Sequence, residues 1–413
     1  MTASPKSRHA VTFVLITVFL DMVGFGLIMP VLPRLIEQVG QMDLAHASII
    51  GGWMFAAFSI AQFAFSPLMG NLSDRYGRRP LLLLAVFGLG IDYIFHAFAP
   101  SIFWLFIGRA IAGFCGSSYV IANAYIADIT APEDRAKAYG MMGAAFGVGF
   151  VLGPAIGGLL GEFGPRVPFY AAAVISLMNF AYGWFVLPET LTAENRRPFE
   201  WKRANPFGAF KVFSKIHGLL PMCSVLAVYF FASAVYPAIW AFWGMAKFGW
   251  SEAMVGLTLA AFGLIMAGFQ GGLTGPAVAR WGEWRVAMVG LLCGALVCFG
   301  YGMVAGLTGV VILMFLHGPE GFVHPMLTTL MSKAVPEDQQ GELQGGMSAI
   351  MNLAMLGGTV FFSQIFGYFM MPGAPFQSPD VAFFVAGVLI AVSFVMFLVL
   401  VRRTEPAAVG PSA

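Results

Sequence analysis

The chain has 413 residues, of which 59% are apolar and 10% charged, with a formal net charge of +2 at pH 7. Soluble proteins carry about 45–50% apolar and about 25% charged residues, so this composition excludes a single soluble core. So small a net charge gives no sign of a nucleic-acid partner. Segments that are apolar on every face belong in a bilayer, where a spanning helix needs about 20 residues.

Twelve such segments follow one another, at 11–35, 47–69, 80–99, 101–128, 137–162, 167–187, 219–246, 252–279, 285–305, 308–332, 341–371 and 378–401. They are far longer than the ~10-residue alternating segments of a membrane barrel, so helices are predicted. Span 1 is too long for a signal-peptide core, lacks a small-residue cleavage site and contains Asp21, so it is expected to remain in the mature protein. Arg34, Arg166 and Lys247 fall on one side of this arrangement and Arg109 lies within span 4; every other Lys and Arg falls on the opposite side. The positive-inside rule then predicts a multi-pass membrane protein with both termini in the cytoplasm.

The longest loop, 188–218, is polar and basic, and divides the spans six and six. Pro132-Glu133-Asp134 after span 4 recurs as Pro336-Glu337-Asp338 after span 10, and Gly70 to Arg78 is echoed from Gly275 to Glu283, at offsets of about 204 and 205 residues. A duplicated unit is the reading: an all-α membrane protein with a first six-helix bundle over 1–187, a cytoplasmic linker over 188–218 and a pseudo-symmetric second bundle over 219–413. Parallel repeats of this kind place a substrate site near the midplane, between the halves.

Ionisable groups inside spans are the most informative residues, since each costs at least about 2.5–3.5 kcal/mol at the bilayer centre. Asp21 lies midway along span 1, flanked by Gly24 and Gly26, and is read as a substrate or proton contact. Asp92 lies mid-span 3 with His96 one turn on, on the same face. Arg109 in span 4 is either part of that site or half of a structural ion pair. In span 10, His317, Glu320 and His324 are spaced three and four apart along one face, interrupted by Gly318, Pro319 and Pro325. Two readings stand for them: a buried Glu–His pair holding a kinked helix, or a carboxylate of the second half whose proton affinity His317 or His324 tunes. Tyr236, Trp240 and Trp243 in span 7, with Phe55, Phe58 and Gln62 in span 2, are candidates to line an amphiphile site. The four cysteines are read as packing residues. With no nucleophile–base pair and no metal-ligand spacing, neither an enzyme nor a metal or cofactor is expected.

Gly70 to Arg79 reads G-N-L-S-D-R-Y-G-R-R, which resembles the cytoplasmic signature of the major facilitator superfamily at every position. Leu20-Asp21 through Gly24 and Gly26 to Pro30 and Pro33 is similar to the first-helix pattern of its drug:proton antiporters. Arg109-Ala-Ile-Ala-Gly113 resembles their fourth-helix arginine motif, and Gly149 to Gly158, with Gly153, Pro154 and Gly157, the fifth-helix motif of exporters. Asp92-Tyr93, Tyr125 to Asp128, and Gln340 to Gly345 resemble the tetracycline-resistance exporters, and Gln62 matches that family's second-helix glutamine.

The resemblance implies the twelve-helix major facilitator fold and alternating access, with efflux of an amphiphilic drug-like small molecule driven by the proton gradient and no cofactor beyond protons. A monomer in the lipid bilayer is expected. An importer or facilitator of a metabolite is the alternative within transport, and a non-transporting receptor of the same fold the alternative outside it. In the motif loop, Arg78 is expected to pair with Asp128, and Asp74 to meet the N-terminus of span 11 near Gly341, where a helix dipole favours an anion. Together with Gly70 and Gly77 these residues would form a cytoplasmic latch; Arg75 and Arg79 belong to it or serve as positive-inside anchors. Gly149, Gly153, Pro154 and Gly157 are expected to form a hinge against the opposite half. Tetracycline exporters carry an acid in span 9 and a histidine in span 8; by register those positions here are Gly294 and Met266.

Overall fold

The computed structural model describes residues 5–116, 118–192, 194, 196–200, 219–336 and 339–401. Much of the proposed linker and the Glu337-Asp338 end of the second repeat therefore lie outside the described residues. Eleven helices among those described are long and apolar enough to cross a membrane. One of them, Glu252–Met303, runs 52 residues and holds Gly282 at φ 75°, ψ 160°, a conformation that turns the chain between two crossings. Spans 8 and 9 are thus separate, and the twelve predicted spans are all present as helices.

Local chemistry sets where the helices start, break and stop. Asp43 caps the helix of span 2, accepting from the His46 backbone N–H at 2.9 Å. That N–H and the His46 ring hold its carboxyl below the usual carboxylate range. Arg166 donates to the carbonyls of Ala97 and Ala99 at 2.7 and 2.9 Å, satisfying acceptors that the end of span 3 leaves over. Span 4 breaks between Cys115 and Ser118, span 7 between Ser233 and Val235, and span 10 narrows to a 3-10 turn over Gly318–Phe322. Span 8 widens to a π-turn over Phe269–Leu273.

The helices form two compact units. The first holds 1–208, 234–264 and 356–381; the second holds 209–233, 265–355 and 382–413. In the first, span 1 runs along span 5. Water cannot drive such a contact within lipid, so it rests on close fit between small residues. A Cβ on Gly149 would stand 2.6 Å from the Phe19 carbonyl oxygen, and one on Gly153 2.7 Å from that of Val23. The row Gly149, Gly153, Gly157 therefore lies against span 1 of its own half. It is Gly158 that meets the second half, its missing Cβ 3.0 Å from the Ala253 Cα, while Gly256 of span 8 lies on the Pro154 carbonyl.

Beside that contact the Glu162 carboxylate accepts from the Ala253 backbone N–H at 3.1 Å, capping span 8 from the end of span 5. The Ser251 hydroxyl and that N–H hold the Glu162 carboxyl below the usual range. A lowered carboxyl favours the capped state above its ordinary titration range, and the benefit is lost as pH falls through the lowered value. Glu162→Gln is expected to lower Tm at neutral pH by no more than about 2 °C, the group being exposed. The difference should close near pH 3; a Tm gap unchanged across that range in thermal scans would sink this account of the cap.

Candidate functional site

Three ionisable side chains meet in the interior of the first unit. Asp92 and His96 are fully buried and Arg109 nearly so. The Arg109 guanidinium donates to Asp92 Oδ2 at 3.3 Å and, through Nε, to His96 Nε2 at 3.0 Å. A guanidinium nitrogen only donates, so His96 Nε2 must accept and the ring is neutral. Its Nδ1 bonds the Asp92 backbone carbonyl at 3.0 Å and lies 3.0 Å from Asp92 Oδ1. His96 also stacks on Phe169, with centroids 5.3 Å apart. Gly108 makes the room: a Cβ there would stand 2.8 Å from Asp92 Oδ1. Asp92 thus has a permanent cation, whereas Asp21 of span 1 accepts from the Ser118 hydroxyl at 2.7 Å.

Asp21, Gln62, Asp92 and Arg109 line one cavity with about 570 Å³ of empty space. Gln62 donates to the Gly116 carbonyl at 3.3 Å, an acceptor exposed by the break in span 4. A second cavity of about 680 Å³ shares Phe25, Ile28 and Arg109 with the first and adds Phe55, Tyr236 and Trp240. The two cavities have those three residues in common, the first being lined by carboxylates and the second mainly by aromatic and aliphatic side chains, a pairing that suits an amphiphile. Of the aromatic candidates, Phe58 lines the first cavity, while Trp243 lines neither. Trp243 is fully buried and its indole N–H donates to Asp380 Oδ1 at 2.8 Å, beside Lys247 at 2.7 Å from the same oxygen. A buried indole N–H needs an acceptor, and Asp380 supplies it.

At the motif loop, Arg78 lies 2.6 Å from Asp74 Oδ1 and 3.1 Å from Asp128 Oδ2, and donates to Ser73 Oγ at 2.6 Å. The Asp74 carboxylate therefore engages Arg78 one turn on in sequence. Arg79 donates to the Trp184 carbonyl at 2.7 Å with its guanidinium over that indole, whereas Arg75 lies over the Tyr76 ring. Gly70 sits on the same stretch of helix, with only Val120 near its open side.

Sequence reasoning missed Glu189. Its carboxylate accepts from the backbone N–H groups of Arg78, Arg79, Thr190 and Leu191 at 2.9–3.3 Å, closing the start of span 3. Gly77 makes this possible twice over. Its φ of 108° disfavours any L side chain, and a Cβ there would strike the Glu189 carboxylate. The available signal was a lone acid following Leu187-Pro188 at the end of span 6.

In the second unit, Glu320 and His317 are buried and paired, His317 Nε2 lying 2.9 Å from Glu320 Oε2. His324 is turned elsewhere, edge-on to Phe230 at 5.6 Å, because the 3-10 turn breaks the helical register that would have stacked it under Glu320. Among the described residues no group of His, Cys, Asp and Glu could hold a metal ion.

The family model described as Major Facilitator Superfamily matches residues 14–359 and 221–413. The tetracycline resistance protein, class C, of Escherichia coli is 39% identical over 367 residues, covering 87% of this chain and 90% of that protein. The tetracycline resistance protein, class G, of Vibrio anguillarum is 33% identical, over 87% and 91% respectively. Among solved structures, the human organic anion transporter MFSD10 superposes with a TM-score of 0.69 at 23% identity, covering 95% of this chain and 100% of that one.

Proposed function

The chain belongs to the Major Facilitator Superfamily, and from that premise we propose that it is a proton-coupled exporter of amphiphilic drug-like molecules in a bacterial inner membrane. It is a multi-pass membrane protein, and tetracycline resistance is what its relatives' names carry. The observation that supports the finer reading is the pair of cavities that share Phe25, Ile28 and Arg109, one lined by Asp21 and Asp92 and the other by Tyr236 and Trp240. The second takes the apolar body of a substrate, and the first a polar or cationic head.

In this reading the two six-helix bundles, over 1–187 and 219–413, alternate access to these cavities, with both termini in the cytoplasm. The Asp74–Arg78–Asp128 cluster with Gly70, Gly77, Arg75 and Arg79 is the cytoplasmic latch. The Gly149, Gly153, Pro154 and Gly157 row carries the bending of span 5. Asp21 takes the exchanged proton in the first half, since a carboxylate in apolar surroundings without a cation gains most from neutralisation. Tetracycline comes to this chain from its relatives' names, while Gly294 and Met266 supply no ionisable partner for it.

A growth-inhibition panel in a pump-deficient host tests the proposal. Expression should raise the inhibitory concentration of several amphiphilic antibiotics at least about fourfold, with tetracyclines in the panel. No change for any compound, in membranes shown to contain the protein, would overturn it.

A further inference from the structure

We propose that Thr258 is a positioning residue that sets specificity through Trp240. It holds that indole as a fixed wall of the second cavity, which thereby favours cations with an aromatic body over aliphatic ones. The inference rests on the export reading for its biological role, but binding alone detects it.

The arrangement begins in the turn between spans 7 and 8. Gly249 takes a left-handed φ of 66° and ends the span 7 helix at Phe248. The chain then doubles back, and the Trp250 N–H donates to the Gly244 carbonyl at 3.3 Å. A Cβ on Gly244 would strike the Trp250 ring, so the bare glycine lets that indole lie on span 7. Trp250 thereby reaches Trp240 and Trp243, with ring centroids 6.1 and 5.9 Å away, and Trp240 meets Trp243 at 5.3 Å. Two further indoles therefore restrict the tilt of the Trp240 ring.

Packing limits that ring, and a hydrogen bond directs it. The Trp240 indole N–H donates to Thr258 Oγ1 at 3.1 Å, and both residues are buried. The Thr258 hydroxyl in turn donates to the Val255 carbonyl at 2.9 Å, one turn back on span 8. A hydroxyl has one proton to give. With that proton committed to Val255, Oγ1 offers the indole its lone pairs, and the threonine side chain is held in one rotamer. An indole nitrogen only donates, so turning the ring over would strip a buried N–H of this acceptor.

The ring held in this way lines the cavity of about 680 Å³ together with Phe25, Phe55, Tyr236 and Phe242. Aromatic walls reward a ligand whose own rings can stack on them or meet them edge-on, a gain that an alkyl chain lacks. A freely turning indole would lose part of that gain to its own ordering when the ligand binds. Thr258 removes that loss in advance. Attraction of the positive charge to ring faces is common to every cation of the same charge, so it does not blur the comparison.

Equilibrium dialysis of the purified full-length protein against radiolabelled tetraphenylphosphonium and tetrabutylphosphonium tests the proposal. The two cations share charge and tetrahedral shape and differ in aromatic character. Wild type should bind the phenyl compound at least about tenfold more tightly. Thr258→Val keeps the shape and loses the acceptor, and should shrink that ratio at least about threefold. Thr258→Ser keeps the hydroxyl and should retain the ratio. A wild type without the preference, or a Thr258→Val ratio equal to that of wild type, would overturn the proposal. A Thr258→Ser ratio as low as that of Thr258→Val would make the defect one of packing and overturn it too. Should Thr258→Val fail to fold, fluorine NMR of wild type labelled with fluorotryptophan decides. The Trp240 resonance, assigned with Trp240→Phe, should be a single line that shifts when tetraphenylphosphonium is added. Two exchanging lines, or an unmoved one, would overturn the proposal. Failure of the growth panel with the dialysis preference present would refute export and leave this role of Thr258 standing.

Discussion

Arg109→Ala is expected to destabilise the protein by about 3–5 kcal/mol, the largest stability loss of any single substitution at the site. The Asp92 carboxylate is fully buried and would lose its cation, while His96 Nε2 would lose its donor. Nothing else in the first cavity replaces that charge: its other ionisable lining groups, Asp21, Tyr93 and Tyr119, carry no positive charge. Most of the cost is therefore a stranded charge rather than a lost attraction, and it is recoverable. The double variant Asp92→Asn with Arg109→Gln leaves no net charge behind and should regain more than half of the loss, as thermal unfolding in detergent would show. If the double variant were as unstable as Arg109→Ala alone, packing of the long side chain and not charge would govern the site.

How much of this was legible beforehand depends on the distance over which each residue acts. Span positions follow from runs of apolar residues, and the Asp92–His96 relation from one helical turn, both local. The Arg78–Asp128 contact was anticipated from the spacing of Asp74 and Arg78 around Gly77 and from the acid that ends span 4. Glu189 was not, because its role depends on the positive φ of Gly77 and on four backbone N–H groups that no side-chain pattern announces. Trp243 was misplaced for a related reason: aromatic spacing marks a helix face but not the acceptor, Asp380, to which a distant loop brings it. His324 was grouped with Glu320 on α-helical spacing, and the 3-10 turn changed that register.

Asp21→Asn is expected to abolish uphill export while sparing folding and exchange. Asparagine preserves size and can still accept from Ser118, whose hydroxyl donates to the carboxylate at 2.7 Å. It removes the charge, and with it any reason for a proton to be bound and released at this position. A neutral residue imitates the protonated state throughout the cycle, so substrate can still cross in both directions, down its own gradient. The loss in accumulation should be complete to within background, and exchange should fall by no more than about threefold.

Everted membrane vesicles measure this directly. They are loaded with acid inside relative to outside and given a radiolabelled compound to which the growth panel shows resistance. The account predicts that wild-type vesicles concentrate the compound, that collapsing the pH gradient with an uncoupler stops them, and that Asp21→Asn vesicles equilibrate without concentrating. Accumulation by wild type that survives the uncoupler, or uphill accumulation by Asp21→Asn at the wild-type level, would contradict proton-coupled export through this cavity.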